Sequence, residues 1–350
     1  MRRFALLLLV TLAWPASAGE MPGWPARLEA RLAVLEAGFD GELGVHVRPL
    51  DEARRFGWRD DEAWYLASLV KVPVAVELLA RIEAGELALD EPLVLRERDY
   101  VDGAGPTNWE EPGTTLTLGE LLEPMLTVSD NTATDLVIAR LGLDAVNRRA
   151  RSLVADPGSL GPITSLIEVR REAYGRLHPA ARALGGMDFI ALRRAEADES
   201  RLEALARRLG VPEERFALPS LDAAFDAYYA SGLNAGRLDA FGELLAAIGE
   251  GRALGPAATA ELLAIMARTT SGEARLKAGL GPGIRFAHKT GTQHRRSCDA
   301  GIAFHGEGAA ERRVVVVACT RGEREVEPAE RVLREVGRAI RESGVFGSVE

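Results

Sequence analysis

The chain has 350 residues, of which 47% are hydrophobic and 27% are charged, and its net charge is −9. This composition indicates a globular protein, long enough for one large domain or two small ones. An acidic chain without a basic run is not expected to bind nucleic acid or an anionic membrane. The two cysteines are too few for a disulfide scaffold. The five histidines form no metal-binding motif, so no metal or other cofactor is expected.

Residues 1–18 have the pattern of a secretory signal peptide. Two arginines precede an apolar run from Phe4 to Trp14, and small residues up to Ala18 fit a cleavage site. The run is too short to span a bilayer, and no later segment is long enough. We therefore expect a periplasmic or secreted monomer of residues 19–350, with an uncleaved N-terminal anchor as the alternative.

The predicted elements change type along the chain. An amphipathic helix at about 26–37 precedes a hairpin with strands at 44–48 and 54–58. Helices are predicted at about 68–81, 118–127, 132–141, 222–230, 237–248 and 257–268. Strands at about 284–292, 298–304 and 313–319 then precede a helix at 328–341.

This order predicts an α/β (α+β) fold with an antiparallel sheet flanked by helices. Both ends of the chain supply the sheet, from about 40–60 and 284–320. A mostly helical part, at about 66–268, is inserted between them. It contains an extra region at about 150–219, where the helical pattern is weaker.

The two cysteines lie on the two strands of the predicted final hairpin. If that hairpin closes symmetrically, Cys298 lies opposite Cys319, and an exported compartment permits a disulfide there. Directly opposed strand cysteines seldom meet the geometry of a bridge. We therefore expect two buried free thiols, with the disulfide as the alternative.

The segment from Ser68 to Lys71 is the first candidate for chemistry. The chain contains 40 arginines and only three lysines, namely Lys71, Lys277 and Lys289. Arginine stays protonated, whereas a desolvated lysine can lose its proton and act as a base. Ser68 and Lys71 are three residues apart and share one face of a helix, where the amine could activate the hydroxyl. The alternative is an accidental Ser-x-x-Lys in a buried helix.

Two further motifs are ambiguous when taken singly. Ser129-Asp130-Asn131 lies at a junction between two predicted helices, where it could line a cleft or simply cap the second helix. Lys289-Thr290-Gly291 lies on a predicted strand. A hydroxyl beside an ammonium suits a substrate carboxylate, and glycine admits a ligand close to the backbone. The alternative for this motif is a strand end with a solvated lysine.

Together, in this order, the three motifs resemble those of the serine β-lactamase and penicillin-binding protein superfamily, most closely the class A β-lactamases. The resemblance implies a β-lactam or a peptidoglycan-like small molecule as the substrate. It implies that Ser68 attacks the lactam carbonyl to form an acyl-enzyme. Lys71 would take the proton of Ser68, directly or through water, and Ser129 would relay a proton to the departing nitrogen.

The resemblance also implies which residues bind the substrate. Asn131 would hold the side-chain amide of the substrate, and Lys289 and Thr290 would bind its carboxylate. The backbone N–H groups of Ser68 and Thr292 would form the oxyanion hole. Arg295 or Arg296 could also contact the carboxylate, and the sequence does not select between them.

One family feature is missing. Class A enzymes carry a Glu-x-x-Leu-Asn segment whose glutamate activates the deacylating water, and this sequence has none. Glu168 and Glu172 are nearest to the expected place, in a charged stretch from 168 to 172 that reads as a solvated helix face. The sequence thus favours acylation more clearly than deacylation. The alternatives to a β-lactamase are a related peptidoglycan-directed serine peptidase or amide hydrolase and a slowly deacylating β-lactam-binding protein.

Overall fold

A computed structural model describes residues 23–194 and 198–347, so the predicted signal peptide lies outside the described residues. The α-helices are α1 (Trp24–Ala37), α2 (Lys71–Glu83), α3 (Leu118–Thr127), α4 (Asn131–Leu141), α5 (Leu143–Ser152), α6 (Leu166–Gly175), α7 (Gly186–Arg193), α8 (Asp198–Leu209), α9 (Leu221–Tyr229), α10 (Leu238–Gly249), α11 (Pro256–Ala267), α12 (Leu276–Leu280) and α13 (Val326–Glu342). The β-strands are β1 (Glu42–Pro49), β2 (Phe56–Trp58), β3 (Ala63–Tyr65), β4 (Pro92–Val94), β5 (Thr115–Thr117), β6 (Ala235–Arg237), β7 (Arg285–Gln293), β8 (Arg296–His305) and β9 (Arg312–Arg321).

One five-stranded sheet joins the two ends of the chain. Its strand order is β2-β1-β9-β8-β7, and each neighbouring pair is antiparallel. The N-terminal hairpin therefore continues into the three C-terminal strands, which confirms the predicted antiparallel sheet flanked by helices. Because β7 is the last strand, one of its edges is left free of sheet partners.

The strand β9 shows why the centre of this sheet lacks the usual alternation of polar and apolar residues. Val314 and Val316 pack in one apolar cluster with Leu32 of α1 and Leu333 of α13. The intervening Val315 belongs to a second cluster, which contains the core of α2, α3 and α10. Because helices cover both faces, the strand is a continuous run of apolar residues.

The helix α2 runs through the middle of the helical part. All nine residues from Lys71 to Leu79 are buried, and most contribute to the larger apolar cluster. A helix that is apolar on all sides is a core helix, with its position fixed by packing in every direction. The first residue of α2 is Lys71, so the core fixes where this amine lies.

The extra region forms a small core of its own around the segment that leads to Ser68. Its helices α6 to α8, together with the following helix α9, contribute side chains such as Phe189, Leu205 and Tyr228 to a third apolar cluster. The same cluster contains Tyr65 and Ala67. The extra region therefore helps to support the segment that carries the candidate nucleophile.

The expectation of free thiols is wrong. Cys298 and Cys319 face each other in the register of β8 and β9, as the sequence predicted, and they form a disulfide with the two Cα atoms 4.1 Å apart. Antiparallel strands approach most closely at their non-hydrogen-bonded pairs, where the Cα atoms come to about 4.5 Å. This close approach brings the two sulfur atoms within bonding range.

The disulfide predicts the thiol content of the purified protein. Denatured but unreduced protein should take up no alkylating reagent, and two equivalents should add after reduction, as measured by intact-mass spectrometry. Replacing both Cys298 and Cys319 by Ala should lower the free energy of unfolding by about 2–4 kcal/mol in a urea titration. Two adducts before reduction would contradict the bridge.

Candidate active site

Ser68 lies in a 3₁₀ turn, Ala67–Val70, and the α-helix itself begins at Lys71, three residues later than predicted. The backbone N–H of Lys71 donates to the carbonyl of Ser68. Residues i and i+3 are eclipsed in a 3₁₀ turn, so the side chains of Ser68 and Lys71 leave the backbone on the same side. Ala67 has a φ of 48°, a strained value that persists only where the surroundings impose it.

The amine of Lys71 is fully buried and hydrogen-bonded on three sides. Its Nζ lies 2.7 Å from the carbonyl oxygen of Ser129, 3.1 Å from the Ser129 Oγ and 2.7 Å from the Oδ1 of Asn131. Burial lowers the pKa of Lys71 to about 7, although the negative charges of Asp130 and Asp135 act to raise it. Near neutral pH, both protonation states of this amine are therefore populated.

The partners of Lys71 determine how a neutral amine would be arranged. A neutral amine has two N–H donors and one lone pair, whereas an ammonium has three donors. The carbonyl of Ser129 and the Oδ1 of Asn131 are acceptors and take the two N–H groups. The Ser129 hydroxyl can then donate to the lone pair. Neutral Lys71 can thus accept a hydrogen bond from the Ser129 hydroxyl, and protonated Lys71 can donate one to it.

Ser129-Asp130-Asn131 both caps the helix α4 and lines the cleft, so both interpretations of this motif are correct. The carboxylate of Asp130 caps α4 through the N–H of Ala133 and also accepts the N–H of Thr107, each at 2.9 Å. Ser129 has a φ of 63°, which turns the chain between α3 and α4. The cap fixes this turn and leaves Ser129 and Asn131 on the wall of the cleft.

The free edge of β7 runs directly beside the Ser68 turn. A Cβ atom placed on Gly291 would lie 2.7 Å from the carbonyl oxygen of Leu66 and 3.2 Å from the backbone nitrogen of Ser68. Any larger residue would push the strand away from the turn. Glycine thus allows the backbone N–H of Ser68 and the outer edge of β7 to face one space.

Lys289 is buried rather than solvated, so the alternative of a strand end with a solvated lysine is wrong. Its side chain is fully buried, and its Nζ donates to the carbonyl oxygen of Thr290 at 2.9 Å. Burial, followed by the nearby charges of Lys71 and Arg275, holds the pKa of Lys289 well below its usual range. Thr290 lines the cleft, and its hydroxyl lies 2.6 Å from that of Ser271.

Arg275 is a positioning residue that the motif search missed. It is 3% exposed and pairs with Glu330 at 3.1 Å. Its guanidinium donates to the carbonyl oxygen of Gly291 at 3.0 Å and to the hydroxyl of Thr292 at 2.6 Å. Arg275 thereby ties the Lys-Thr-Gly strand to α13. It lies directly before α12 and outside the three motifs, so the motifs alone could not identify it.

These residues surround one cleft of about 530 Å³. Five of the seven predicted site residues line it, namely Ser68, Ser129, Asn131, Thr290 and Thr292. The other two, Lys71 and Lys289, are buried behind this lining. Each lysine contacts groups of the cleft lining from behind. Lys71 contacts the carbonyl and hydroxyl groups of Ser129, and Lys289 contacts the carbonyl group of Thr290.

The helix α6 presents an arginine to the cleft instead of a glutamate. Arg170 lines the cleft and pairs with Asp102 at 2.5 Å, so this part of the charged stretch is not the solvated face that the sequence predicted. Glu168 pairs with Arg171 at 2.7 Å, and Glu172 pairs with Arg182. Neither glutamate is among the described residues that line the cleft.

Arg295 and Arg296 both line the cleft, and the structure leaves both as candidates for contact with a carboxylate. Their guanidinium groups lie 3.5 and 3.8 Å from the carboxylate of Asp226 on α9. Arg296 also stacks on the ring of Tyr229, 4.4 Å from its centre. The helix α9 therefore contacts the residues that follow the Lys-Thr-Gly strand.

The described residues contain neither a metal-binding cluster nor a membrane-spanning helix. In 23–194 and 198–347 no three or more His, Cys, Asp or Glu side chains are grouped so that they could hold a metal ion. Over the same ranges no helix combines the length and the apolar character that crossing a bilayer requires.

The fold and the site together define a class of protein. An antiparallel sheet and a helical part bring Ser-x-x-Lys, Ser-Asp-Asn and Lys-Thr-Gly to one cleft, which is the arrangement of the serine β-lactamase and penicillin-binding protein superfamily. The model of the Beta-lactamase enzyme family matches residues 27–173 and 191–343. The chain therefore belongs to this family, which confirms the resemblance that the motifs carried.

Individual proteins are similar to this chain in part of the sequence or in the fold. A β-lactamase of Rhodobacter capsulatus is 35% identical over 133 residues, a match that spans 38% of this chain and 45% of that relative. A β-lactamase structure from Sphaerobacter thermophilus is 24% identical, with a TM-score of 0.66 over 93% of this chain and 98% of that one. A mutant of PBP-A in an acyl-enzyme complex with penicillin G is 20% identical, with a TM-score of 0.65 over 92% of this chain and 98% of that one.

The close contact at Gly291 generates a prediction. Gly291→Ala should push β7 away from the Ser68 turn and lower the rate of acylation by about 10²-fold, because small misplacements of reacting groups are that costly. The rate is measured by stopped-flow with a chromogenic cephalosporin. Gly283→Ala is the matched control, since no atom of the described residues lies within 4 Å of its added Cβ, and it should react at the wild-type rate. Equal rates for the two variants would contradict the role of this contact.

Proposed function

We propose that the protein is a serine β-lactamase that opens the lactam ring through an acyl-enzyme on Ser68. The observation that carries the proposal is the burial of Lys71, with a pKa of about 7, at the base of a cleft lined by Ser68, Ser129 and Thr290. An amine that is partly neutral at neutral pH can act as a general base. Family membership supports the same reaction.

Acylation follows from this arrangement. The Oγ of Ser68 bonds to the lactam carbonyl carbon while neutral Lys71, directly or through a water molecule, takes the hydroxyl proton. The carbon–nitrogen bond of the lactam then breaks. Ser129 gives its proton to the departing nitrogen, and protonated Lys71 restores it across the 3.1 Å contact. The proton taken from Ser68 thus ends on the nitrogen, and the amine is neutral again.

The carbonyl oxygen becomes negative during the attack and needs donors. The turn supplies the backbone N–H of Ser68, and the free edge of β7 runs beside it, so an oxyanion hole from Ser68 and Thr292 fits this space. Asn131 would hold the substrate's side-chain amide at the rim. The hydroxyls of Thr290 and Ser271 would bind its carboxylate, with Lys289 behind them.

The rate of deacylation distinguishes the leading candidate function, a β-lactamase, from a second candidate function. Hydrolysis of the ester requires a base for the attacking water. The carboxylates among the described cleft residues are Asp102, which is held by Arg170, and the outer Glu323 and Glu325. The described lining of the cleft contains Arg170 and neither Glu168 nor Glu172, and this favours slow release. The second candidate is therefore a β-lactam-binding protein, or a peptidoglycan-directed hydrolase of the same fold, in which the acyl-enzyme accumulates.

The cellular location is part of the proposal. The predicted signal peptide would export the chain to the periplasm or the medium, where β-lactams and peptidoglycan are both accessible. The Cys298–Cys319 disulfide supports export, because such bonds persist in oxidising compartments. We expect a monomer, since the three motifs of one chain complete the lining of the cleft.

The first test is covalent labelling followed by turnover. Penicillin should add one acyl group to the wild-type protein by intact-mass spectrometry, and Ser68→Ala should abolish the addition. Ser271→Ala is the matched serine control and should still be labelled, at a lower rate. Continued hydrolysis of a chromogenic cephalosporin after the first equivalent supports the β-lactamase, whereas a burst of one equivalent supports the binding protein. Labelling of the Ser68→Ala variant would refute the nucleophile.

The second test is the pH dependence of acylation. Because burial lowers the pKa of Lys71, the fraction of neutral amine falls as the pH falls through about 7. The acylation rate should therefore drop about tenfold between pH 8 and pH 6. Lys71→Arg should remain inactive over this range, because a guanidinium stays protonated. A flat profile for the wild type, with circular dichroism showing folded protein throughout, would exclude Lys71 as the base.

A further inference from the structure

The cleft has the opposite charge balance to the rest of the protein. The chain as a whole carries a net charge of −9. Among the residues that the structure describes, six arginines line the cleft, against three acidic residues. The arginines are Arg170, Arg193, Arg201, Arg295, Arg296 and Arg324. A positive cleft in an acidic protein concentrates anionic ligands.

Most of these arginines have a carboxylate partner, and Arg193 does not have one among the described residues. Arg170 pairs with Asp102, and Arg324 pairs with Asp222. Arg295 and Arg296 share Asp226. Arg193, at the C-terminal end of α7, is exposed in the cleft and makes no ion pair or hydrogen bond with the described part of the chain. Its charge is therefore available to a ligand.

Four of these arginines lie on two walls of the cleft. Arg170 and Arg193 belong to α6 and α7, which pack together through Tyr174 and Phe189 with ring centres 5.2 Å apart, and this is the helical wall. Arg295 and Arg296 follow the Lys-Thr-Gly strand, on the wall proposed to bind the ring carboxylate of the substrate. Arg170 lies on the helical wall and is linked to Asn131 through Asp102. The Nδ2 of Asn131 donates to the carbonyl of Asp102 at 2.7 Å, and the carboxylate of Asp102 accepts from Arg170. This wall therefore lies at the end where the substrate's side-chain amide would bind.

We propose that the helical wall contains a second anion subsite, with Arg193 as its principal ligand. The subsite binds a carboxylate on the acyl side chain of the substrate, beyond the amide held by Asn131. The preferred substrates are thus dianions, with one carboxylate on each side of the scissile bond. This inference rests on the proposed function and adds a substrate class to it.

The chemistry of the group fits this role. A guanidinium offers a planar fork of N–H donors that matches a carboxylate in a bidentate contact. Arg193 follows shortly after 174–190, the stretch that the family model leaves unmatched. Because Arg193 makes no hydrogen bond or ion pair with the described part of the chain, a change at this position leaves the contacts of Lys71 and Ser129 undisturbed.

The test compares two penicillins that differ by one carboxylate, benzylpenicillin and its α-carboxy analogue. The wild-type protein should be acylated by the analogue about fivefold faster at low ionic strength, and added salt should reduce this preference. Arg193→Gln should remove the preference. Arg194→Gln is the matched control, because it deletes the same charge at the next residue, which is exposed and does not line the cleft.

The outcomes separate the subsite from the acylation reaction. An equal rate for both penicillins, or a preference that survives in Arg193→Gln, overturns the subsite even if Ser68 is acylated. The same comparison is made by equilibrium binding to Ser68→Ala, alone and combined with Arg193→Gln, using ligand-observed NMR. Tighter binding of the dianion that depends on Arg193 supports the subsite even if no acyl-enzyme forms, and binding without such a dependence rejects it.

Discussion

The structure depends above all on the burial of one amine. Lys71 begins a helix whose first nine residues are all buried, so its Nζ cannot reach water, and it must find partners within the protein. Ser129 and Asn131 supply them at 2.7 to 3.1 Å. These hydrogen bonds join two motifs that are 58 residues apart in the chain. The same burial lowers the pKa of the amine to about 7, so that it can both accept and return a proton near neutral pH.

The Lys-Thr-Gly motif is joined to the other two motifs by a close backbone contact and not by an interaction between charged groups. The strand β7 ends the sheet, and Gly291 lets its free edge approach the Ser68 turn to within van der Waals contact. Arg275 fixes the same strand from behind by holding the carbonyl of Gly291 and the hydroxyl of Thr292. The sheet thus supplies a fixed wall against which the helical part presents the nucleophile.

The sequence predicted the parts of this protein that follow local rules. Periodic apolar residues placed α1, α3 and α13, and the ordered motifs brought together Ser68, Ser129 and Thr290. It did not predict contacts that depend on the packing of distant segments. The bond between Cys298 and Cys319 needed the distance between two strands, and the cleft position of Arg170 needed the orientation of α6. Likewise, no local pattern marks Lys289 as buried, because its burial comes from the neighbouring helices.

Tyr65 and Ala67 share their apolar cluster with α6 to α9, and this has a consequence for how such a protein can diversify. These helices support the turn that carries Ser68, since the strained backbone at Ala67 packs within their cluster. Shortening them would therefore also loosen the turn of the nucleophile. Substitutions on the cleft side of α7, by contrast, leave that apolar cluster intact. They can therefore change the substrate specificity during evolution without destabilising the turn that carries Ser68.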